Sequence, residues 1–196
     1  MINKDNVMFD YKIVKLGNPS LRLVSASVNQ NEFDSKELHT IIEKLFFVLK
    51  KEGGVGLAAP QIGINKRIIV IGMDKHPVYT QLDSIPYTAI INPTIKVLTD
   101  ELEESYEGCM SVGTLRGKVS RPKRIHYSGF DISGNLIESE VEGLHARVVQ
   151  HETDHLDGIV FLDKVSNHMS LGFHEELVAS GQLKLRTQPT NEELKQ

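Results

Sequence analysis

The motif His-Glu-x-x-His, at His151, Glu152 and His155, constrains this chain more than any other stretch. Residues four apart share one face of an α-helix, so His151 and His155 can direct two imidazoles at one metal ion. Glu152 can reach a water on that metal without being a ligand. The pattern also arises by chance, as a surface helix with two solvated histidines. The motif alone leaves both interpretations open.

The residues before the motif favour a metal site. At about 100° per residue, four residues fall on one narrow stripe of the helix: Leu144, Val148, His151 and His155. Histidines in line with an apolar stripe face the interior, where an imidazole needs a partner. We therefore expect a buried metal site rather than a solvated helix face.

Length and charge limit the class of protein. The 196 residues suit a single catalytic domain, 1–196. A net charge of −4 and the absence of Lys/Arg clusters argue against direct DNA binding. No apolar run approaches the roughly 18 residues of a membrane span, and residues 1–10 carry no secretory or organelle signal. A cytoplasmic location is therefore expected. Cys109 is the one cysteine, which excludes an intrachain disulfide.

The first helix is predicted from both of its ends. Asp34 and Glu37 resemble a capping box, in which Asp34 caps and Glu37 reaches back. Apolar residues then recur at helical spacing over 38–49. The pattern predicts a helix that runs to about Lys51 and ends at the glycine pair behind it. Its expected role is to pack the core.

Much of the remaining chain alternates between short apolar runs and turn signals. Residues 67–71 are predicted to be a strand, 88–98 two strand segments interrupted by Pro93, and 125–130 with 136–141 a hairpin. The order predicts an α+β fold with mainly antiparallel sheets around a central metal-binding helix. We expect a loop at 73–86 and a solvated turn in the acidic run 100–107. A last apolar run follows at 159–162, and the tail at 166–196 is expected to be partly helical or disordered.

The glycine-rich stretch 53–63 is less informative by itself. Glycines before small apolar residues suggest backbone that comes close to something, but no phosphate-loop pattern follows. Gln61 stands on backbone stiffened by Pro60, and its amide can donate hydrogen bonds. On this segment alone, the simpler interpretation is a glycine loop with an exposed glutamine.

A catalytic zinc-type site needs three protein ligands and an open position, so the motif requires a third ligand. The metzincin pattern fails, because the position of its third histidine is Phe161. A thermolysin-like site would use a downstream glutamate, for which Glu175 or Glu176 is available. Cys109 is the other choice, since Gly108 beside it lets the backbone approach closely. Cys/His/His is an accepted catalytic ligand set.

Three separated segments resemble the signature motifs of peptide deformylases, in the family's order. Met110 stands where the family usually has leucine. The motif then continues as Ser111-Val112-Gly113, where the family commonly has a proline. With an opening segment at 16–22 that is also similar, the resemblance covers about 11–165. The three segments are Gly54-Val-Gly56-Leu-Ala-Ala-Pro-Gln61, Glu107-Gly-Cys109-Met-Ser111 and Gln150-His151-Glu152-Thr-Asp154-His155-Leu-Asp-Gly158.

The resemblance implies a hydrolase that removes the formyl group from the N-terminal formyl-methionine of new polypeptides and releases formate. It implies a divalent metal on Cys109, His151 and His155, with Fe(II) as the expected physiological ion and Zn, Ni or Co as alternatives. Glu152 would be the general base. The side-chain amide of Gln61 and the backbone N–H of Met110 would stabilise the oxyanion.

The resemblance also implies a binding site for the peptide. Gly56 would let the substrate backbone lie close, and Arg116 matches a position near the peptide. An apolar pocket for methionine is expected from Leu144 and Val148, with Val55 and Met110 as additions. Asp154 either accepts a hydrogen bond from a ligating histidine or is solvated.

The implied partners are N-formylmethionyl nascent peptides in a bacterial cytoplasm. A monomer and a ribosome contact of the tail are further expectations. Two other functions remain open at this point: a zinc endopeptidase of the thermolysin type, and a non-catalytic binding module with a structural metal. A structural site is normally closed by four ligands, and it would not require a glutamate beside the first histidine.

Overall fold

A computed structural model describes residues 11–74 and 84–183 of the chain. Within these ranges no helix is long and apolar enough to cross a membrane. The first helix, α1, spans Lys36–Glu52 and ends at Gly53 in the left-handed conformation, which confirms the predicted end. The expected N-cap was wrong by one residue. Ser35 Oγ accepts the N–H of Leu38, because Asp34 has a φ of 56° and its carboxylate contacts His39 instead.

A five-stranded antiparallel sheet is the centre of the fold. Its strands are β1 Gly56–Ala58, β2 Ile68–Met73, β3 Ile85–Val97, β6 Arg124–Phe130 and β7 Leu136–Glu142. They lie in the order β1-β2-β3-β6-β7, and consecutive neighbours in this order are antiparallel.

One long strand replaces the two predicted segments around Pro93. The β3 register shifts between Ile91 and Thr94, so the proline is accommodated in an irregularity rather than at a strand end. There Asn92 has a φ of 51° and its side chain hydrogen-bonds the backbone N–H and C=O of Val28. Of the predicted loop 73–86, both ends belong to strands, and 75–83 lies outside the described residues.

Strand β2 is buried on both faces because a helix covers each side of the sheet. Ile68 and Val70 share a core cluster with apolar side chains of α1. Ile69 and Ile71 pack in a second cluster with Val149 of α2, the helix Gly143–Leu156 that carries the histidine motif. Side chains alternate across a strand, so β2 reads as a continuous apolar run and holds α2 against the sheet.

A second, three-stranded sheet has the order β4-β5-β8. The strands are β4 Leu102–Gly108, β5 Leu115–Pro122 and β8 Gly172–Phe173. The acidic run is therefore not the solvated turn that its charges suggested. The tail is partly ordered: β8 pairs with β5, α3 follows at His174–Ala179, and 184–196 lies outside the described residues. The second half of the last apolar run, Phe161 and Leu162, begins a 3-10 helix, Phe161–Lys164.

Candidate active site

The histidine stripe of α2 faces the interior as expected. His155 is fully buried, and His151 and Val148 are each 9% exposed. Glu152 is also buried, although it lies one position round the helix from His151. Ala146 and Val149 anchor the helix in the core cluster beneath the sheet. The interpretation of a surface helix with solvated histidines is therefore wrong.

Cys109, at the end of β4, completes a group that can hold a metal ion. Its Sγ lies 3.2 Å from Nε2 of His155. The three candidate ligand atoms of Cys109, His151 and His155 all lie within 4.8 Å of one another. Burial, followed by the nearby His151, lowers the pKa of His155 well below its ordinary value. One sulfur and two imidazole nitrogens this close together fit a divalent ion, which would be bound by a thiolate and two neutral imidazoles.

The other candidates for the third ligand lie elsewhere. Phe161 is buried and stacks on the His151 ring with 6.3 Å between centroids. Glu175 and Glu176 are exposed on α3. Among the described residues neither glutamate belongs to the group of potential ligands around His151. The geometry thus favours Cys109.

Gln61 is held in a fixed orientation beside the cysteine. It lies in the 3-10 helix Ala59–Ile62 and is 1% exposed, not the exposed loop residue of the simpler interpretation. The backbone N–H of Ala58 donates to its Oε1 at 2.8 Å. This assigns the amide nitrogen to the other side, where Nε2 lies 3.4 Å from both Cys109 Sγ and Ser111 Oγ. The amide donor therefore faces the Cys/His/His group.

Glu152 offers an unused carboxylate oxygen in the same place. Its Oε2 is buried and has no hydrogen-bond partner within the described residues. Burial raises the pKa of Glu152 to about 7, against the opposing effects of His151 and Arg121. A carboxyl group with this pKa can exchange a proton near neutral pH, which is what a general base and acid requires.

Gly56 is the residue that makes room for this carboxylate. A Cβ at position 56 would lie 2.5 Å from Glu152 Oε1, closer than real atoms approach. We expect Gly56→Ala to displace the Glu152 carboxylate and lower kcat by about 10- to 100-fold, since a shift of about 1 Å has effects of that size. KM and metal content should stay near wild type, as measured by steady-state kinetics and elemental analysis.

A double-mutant cycle separates this role from the expected contact with the substrate backbone. If Gly56→Ala acts through Glu152, it should lower kcat only slightly further in an enzyme that already carries Glu152→Gln. A rise in KM with unchanged kcat would instead assign Gly56 to peptide binding.

The sequence missed Glu107, the last residue of the acidic run. Its Oε2 lies 2.9 Å from Nδ1 of His151. Arg121 contacts both carboxylate oxygens, at 2.6 and 2.9 Å, and Arg147 contacts Oε1 at 2.7 Å. A carboxylate accepts only, so the His151 ring donates its Nδ1–H and keeps Nε2 free for a metal. Glu107 thus orients one ligand from behind.

The charges of Arg121 and Arg147 offset the free-energy cost of burying the Glu107 carboxylate. Burial alone would raise the pKa of this carboxyl, but hydrogen bonds from His151 and Arg121 and the arginine charge lower it well below its usual range. Asp154 extends the network, since Arg121 Nη1 donates to Asp154 Oδ2 at 2.8 Å and Lys164 contacts Oδ1 at 3.0 Å. Asp154 therefore supports the site through Arg121, not by bonding a ligating histidine.

The candidate site residues meet at one cleft of about 380 Å³. Arg116 lies against Gly108, where a Cβ would be 2.4 Å from the guanidinium. Its Nη1 donates to the carbonyls of Gly113 and Leu115, so the loop that lacks the usual proline is tied to the arginine. Of the site residues proposed from the sequence, only His155 lies behind the wall of the cleft. The others line it: Val55, Gly56, Gln61, Cys109, Met110, Arg116, Leu144, Val148, His151 and Glu152.

An α+β chain with a Cys/His/His group and an unpartnered carboxylate oxygen beside one cleft has the groups that a metal-dependent hydrolase requires. Residues 10–170 match the family model described as polypeptide deformylase. The chain is 42% identical over 167 residues to peptide deformylase 1 of Bordetella pertussis, covering 85% of this chain and 94% of the relative. It is 43% identical over 171 residues to peptide deformylase 1 of Prochlorococcus marinus, covering 87% and 88%.

Solved structures agree with these relatives. The peptide deformylase of Thermotoga maritima is 35% identical with a TM-score of 0.70, covering 80% of this chain and 98% of that one. The Met-Ala-Ser-bound class I type b enzyme of Acinetobacter baumannii is 33% identical with a TM-score of 0.75, covering 79% and 97%. The chain therefore belongs to the polypeptide deformylase family.

Membership of this family establishes the reaction. The chain is a metal-dependent amide hydrolase that removes the N-formyl group from N-formylmethionyl nascent peptides. Its relatives are bacterial enzymes of the same activity. Neither a thermolysin-type endopeptidase nor a binding module with a structural metal is supported.

Proposed function

We propose that deformylation takes place at the cleft between α2, β4 and the 3-10 helix 59–62, with Cys109, His151 and His155 holding the metal ion. The observation that carries this assignment is the unpartnered Oε2 of Glu152, buried beside the Cys/His/His group. A buried carboxyl oxygen without a hydrogen-bond partner is costly, and the attacking water would supply that partner.

When bound, the metal supplies Lewis acidity and lowers the pKa of a water ligand to about 7. Glu152 takes the proton of the attacking water and later delivers it to the leaving amine of methionine. Nε2 of Gln61 and the N–H of Met110 donate to the oxygen of the formyl group as it gains charge. Because Ala58 fixes the Gln61 amide before substrate arrives, that donation needs no reorganisation.

The remaining cleft residues bind the peptide. Leu144, Val148 and Val55 give the apolar surface that a methionine side chain requires, and Met110 packs over Gly54 beside them. Arg116 lies at the same cleft and holds the peptide chain beyond methionine. The Acinetobacter baumannii relative with bound Met-Ala-Ser suggests a tripeptide of this kind as the matching product.

Formate release from formyl-Met-Ala-Ser tests the proposal directly. Turnover of this peptide, with no cleavage of an unformylated or internal peptide bond, is the expected result. Cys109→Ala should remove both the metal and the turnover. Turnover that persists in Cys109→Ala with metal still bound would place the site elsewhere.

We propose Fe(II) as the physiological metal, with Zn, Ni and Co as alternatives, because a thiolate with two imidazoles suits all four ions. Thiolate ligation beside an open cleft makes the iron-loaded enzyme sensitive to oxygen. We expect activity to fall during aerobic storage and to persist under nitrogen, while zinc-loaded protein is unaffected by air. Iron-loaded enzyme that keeps its activity in air, with iron still bound by elemental analysis, would contradict this.

Further proposals concern the location, the domain organisation, the oligomeric state and the ribosome contact of the enzyme. We propose that the enzyme acts in the cytoplasm, because its substrates are nascent peptides. We also propose that residues 1–196 form one domain, that the enzyme is a monomer, and that residues 166–196 contact the ribosome. Light scattering after gel filtration checks the monomer. Co-sedimentation with ribosomes, compared between the full chain and one ending at residue 183, checks the share of this contact that residues 184–196 would make.

A further inference from the structure

Residues 14–16, which we call the strap, join the two loops that carry the proposed oxyanion donors. The backbone N–H of Val14 donates to the carbonyl of Gln61 at 2.9 Å. Two residues later, the N–H of Leu16 donates to the carbonyl of Ser111 at 2.8 Å. One short segment thus contacts the 3-10 helix of Gln61 through Val14 and the loop after Cys109 through Leu16.

Lys15 adds a third contact from the middle of the strap. Its Nζ donates to the carbonyl of Met110 at 2.8 Å, although the side chain is exposed. This carbonyl belongs to Met110, the same residue whose backbone N–H is proposed to bind the oxyanion. The turn after the strap is itself closed, because the N–H of Asn18 donates to the carbonyl of Lys15. The strap therefore has a defined position from which to hold both loops.

The distance between the two donors matters because they act on one oxygen. Gln61 and Met110 come from different elements, and Gln61 Nε2 reaches the second loop at Ser111 Oγ with a long contact of 3.4 Å. Electrostatic stabilisation of a developing charge requires donors that are fixed in advance. A segment that ties both backbones sets the separation of the donors before the substrate binds.

We infer that the strap is a positioning element of the oxyanion site, and that Lys15 is a positioning residue for the Met110 loop. The inference rests on the proposed function, since it assumes that Gln61 and Met110 stabilise the oxyanion. The donors act mainly in the transition state, so loosening the strap lowers kcat and leaves KM nearly unchanged. Lys15 contacts the carbonyl of Met110 rather than a candidate metal ligand, and His151 keeps its contact with Glu107, so we expect the metal content to stay constant.

Lys15→Met tests the side-chain contact in the full metal-loaded chain. We expect kcat for formyl-Met-Ala-Ser to fall by about 3- to 10-fold, the effect of one lost hydrogen bond. Lys15→Arg keeps a donor and should restore most of the rate. Lys12→Met is the matched control, because Lys12 is an exposed lysine three residues away in the same segment and loses the same charge. It should behave as wild type.

Gly17→Ala tests the backbone contacts. Gly17 has a φ of 103°, and no atom lies within 4 Å of the place that a Cβ would take, so alanine there strains the turn without a steric clash. We expect the same fall in kcat, with faster amide hydrogen exchange over 110–114 by mass spectrometry.

The possible outcomes distinguish a failure of the inference about the strap from a failure of the proposed function. If wild-type protein releases no formate, the proposed function fails whatever the variants do. If wild type is active and both Lys15→Met and Gly17→Ala match it in kcat and hydrogen exchange, the strap alone is overturned. An equal loss in Lys12→Met, or a loss that follows metal content, would also overturn it.

Discussion

Glu152→Gln is expected to lower kcat by about 10²- to 10⁴-fold while metal content stays at the wild-type level. Glutamine has the shape of glutamate but cannot accept the proton of the attacking water. The buried Oε2 of Glu152 has no partner among the described residues, so no structural bond is lost at that oxygen. Burial raises the pKa of Glu152 to about 7, so this carboxyl can exchange a proton near neutral pH.

A rate and a metal analysis together decide this prediction. Steady-state formate release gives kcat, and elemental analysis of the same sample gives the bound metal. Glu140→Gln is the matched control, since Glu140 is exposed on β7 and, within the described part of the chain, forms an ion pair only with the exposed Arg124. A Glu152→Gln enzyme with a near-normal rate would remove the general-base role.

The sequence located most of the site because much of the information is local. The spacing of His151 and His155 requires one helix face, and the apolar stripe sets which way that face points. Cys109 could not be found in this way, because it lies 46 residues from His155. Choosing it required the chemistry of ligand sets and the resemblance of three motifs.

Glu107 was missed because its environment is made by distant parts of the chain. It ends an acidic run, and such a run is usually solvated. Its partners Arg121 and Arg147 are 14 and 40 residues away, on β5 and α2. The role of Gly56 was incomplete for the same reason, since the atom that requires a glycine belongs to Glu152.

Most features of the fold that depend on local sequence were predicted, and those that depend on distant residues were not. The antiparallel α+β class was evident from the order of patterns, and it is confirmed. The helix cap was wrong because Asp34 and Ser35 are both good caps, and the backbone of Asp34 decides between them. The pairing of β8 with β5 was not predictable, because a strand of two residues carries no periodicity.

Glu107→Gln is expected to affect both stability and metal binding. Loss of the buried charge leaves Arg121 with Asp154 alone and Arg147 with backbone carbonyls. Breaking a buried pair of this kind costs about 3 kcal/mol or more, which lowers the Tm by about 10 °C in a chain of this size. The altered support of His151 should weaken metal affinity by about 10- to 100-fold. Calorimetry and competition with a chelator measure the two effects.

Glu101→Gln is the matched control for this prediction, because Glu101 lies in the same acidic run but is 62% exposed beside Lys123. It should change neither the Tm nor the metal affinity measurably. Equal effects of the two substitutions would mean that the run acts through its total charge, and the buried network would then have no special role.

The pH dependence of the Glu107→Gln effect tests whether the ionised carboxylate is responsible. The pKa of Glu107 is depressed in the folded protein, so its stabilisation is complete above the ordinary value of 4.5 and is lost as the pH falls below it. The difference in Tm between wild type and Glu107→Gln should therefore be constant near neutral pH and narrow below about pH 4.5. A difference that stays constant in acid would show that a neutral glutamic acid supports His151 and the arginines equally well.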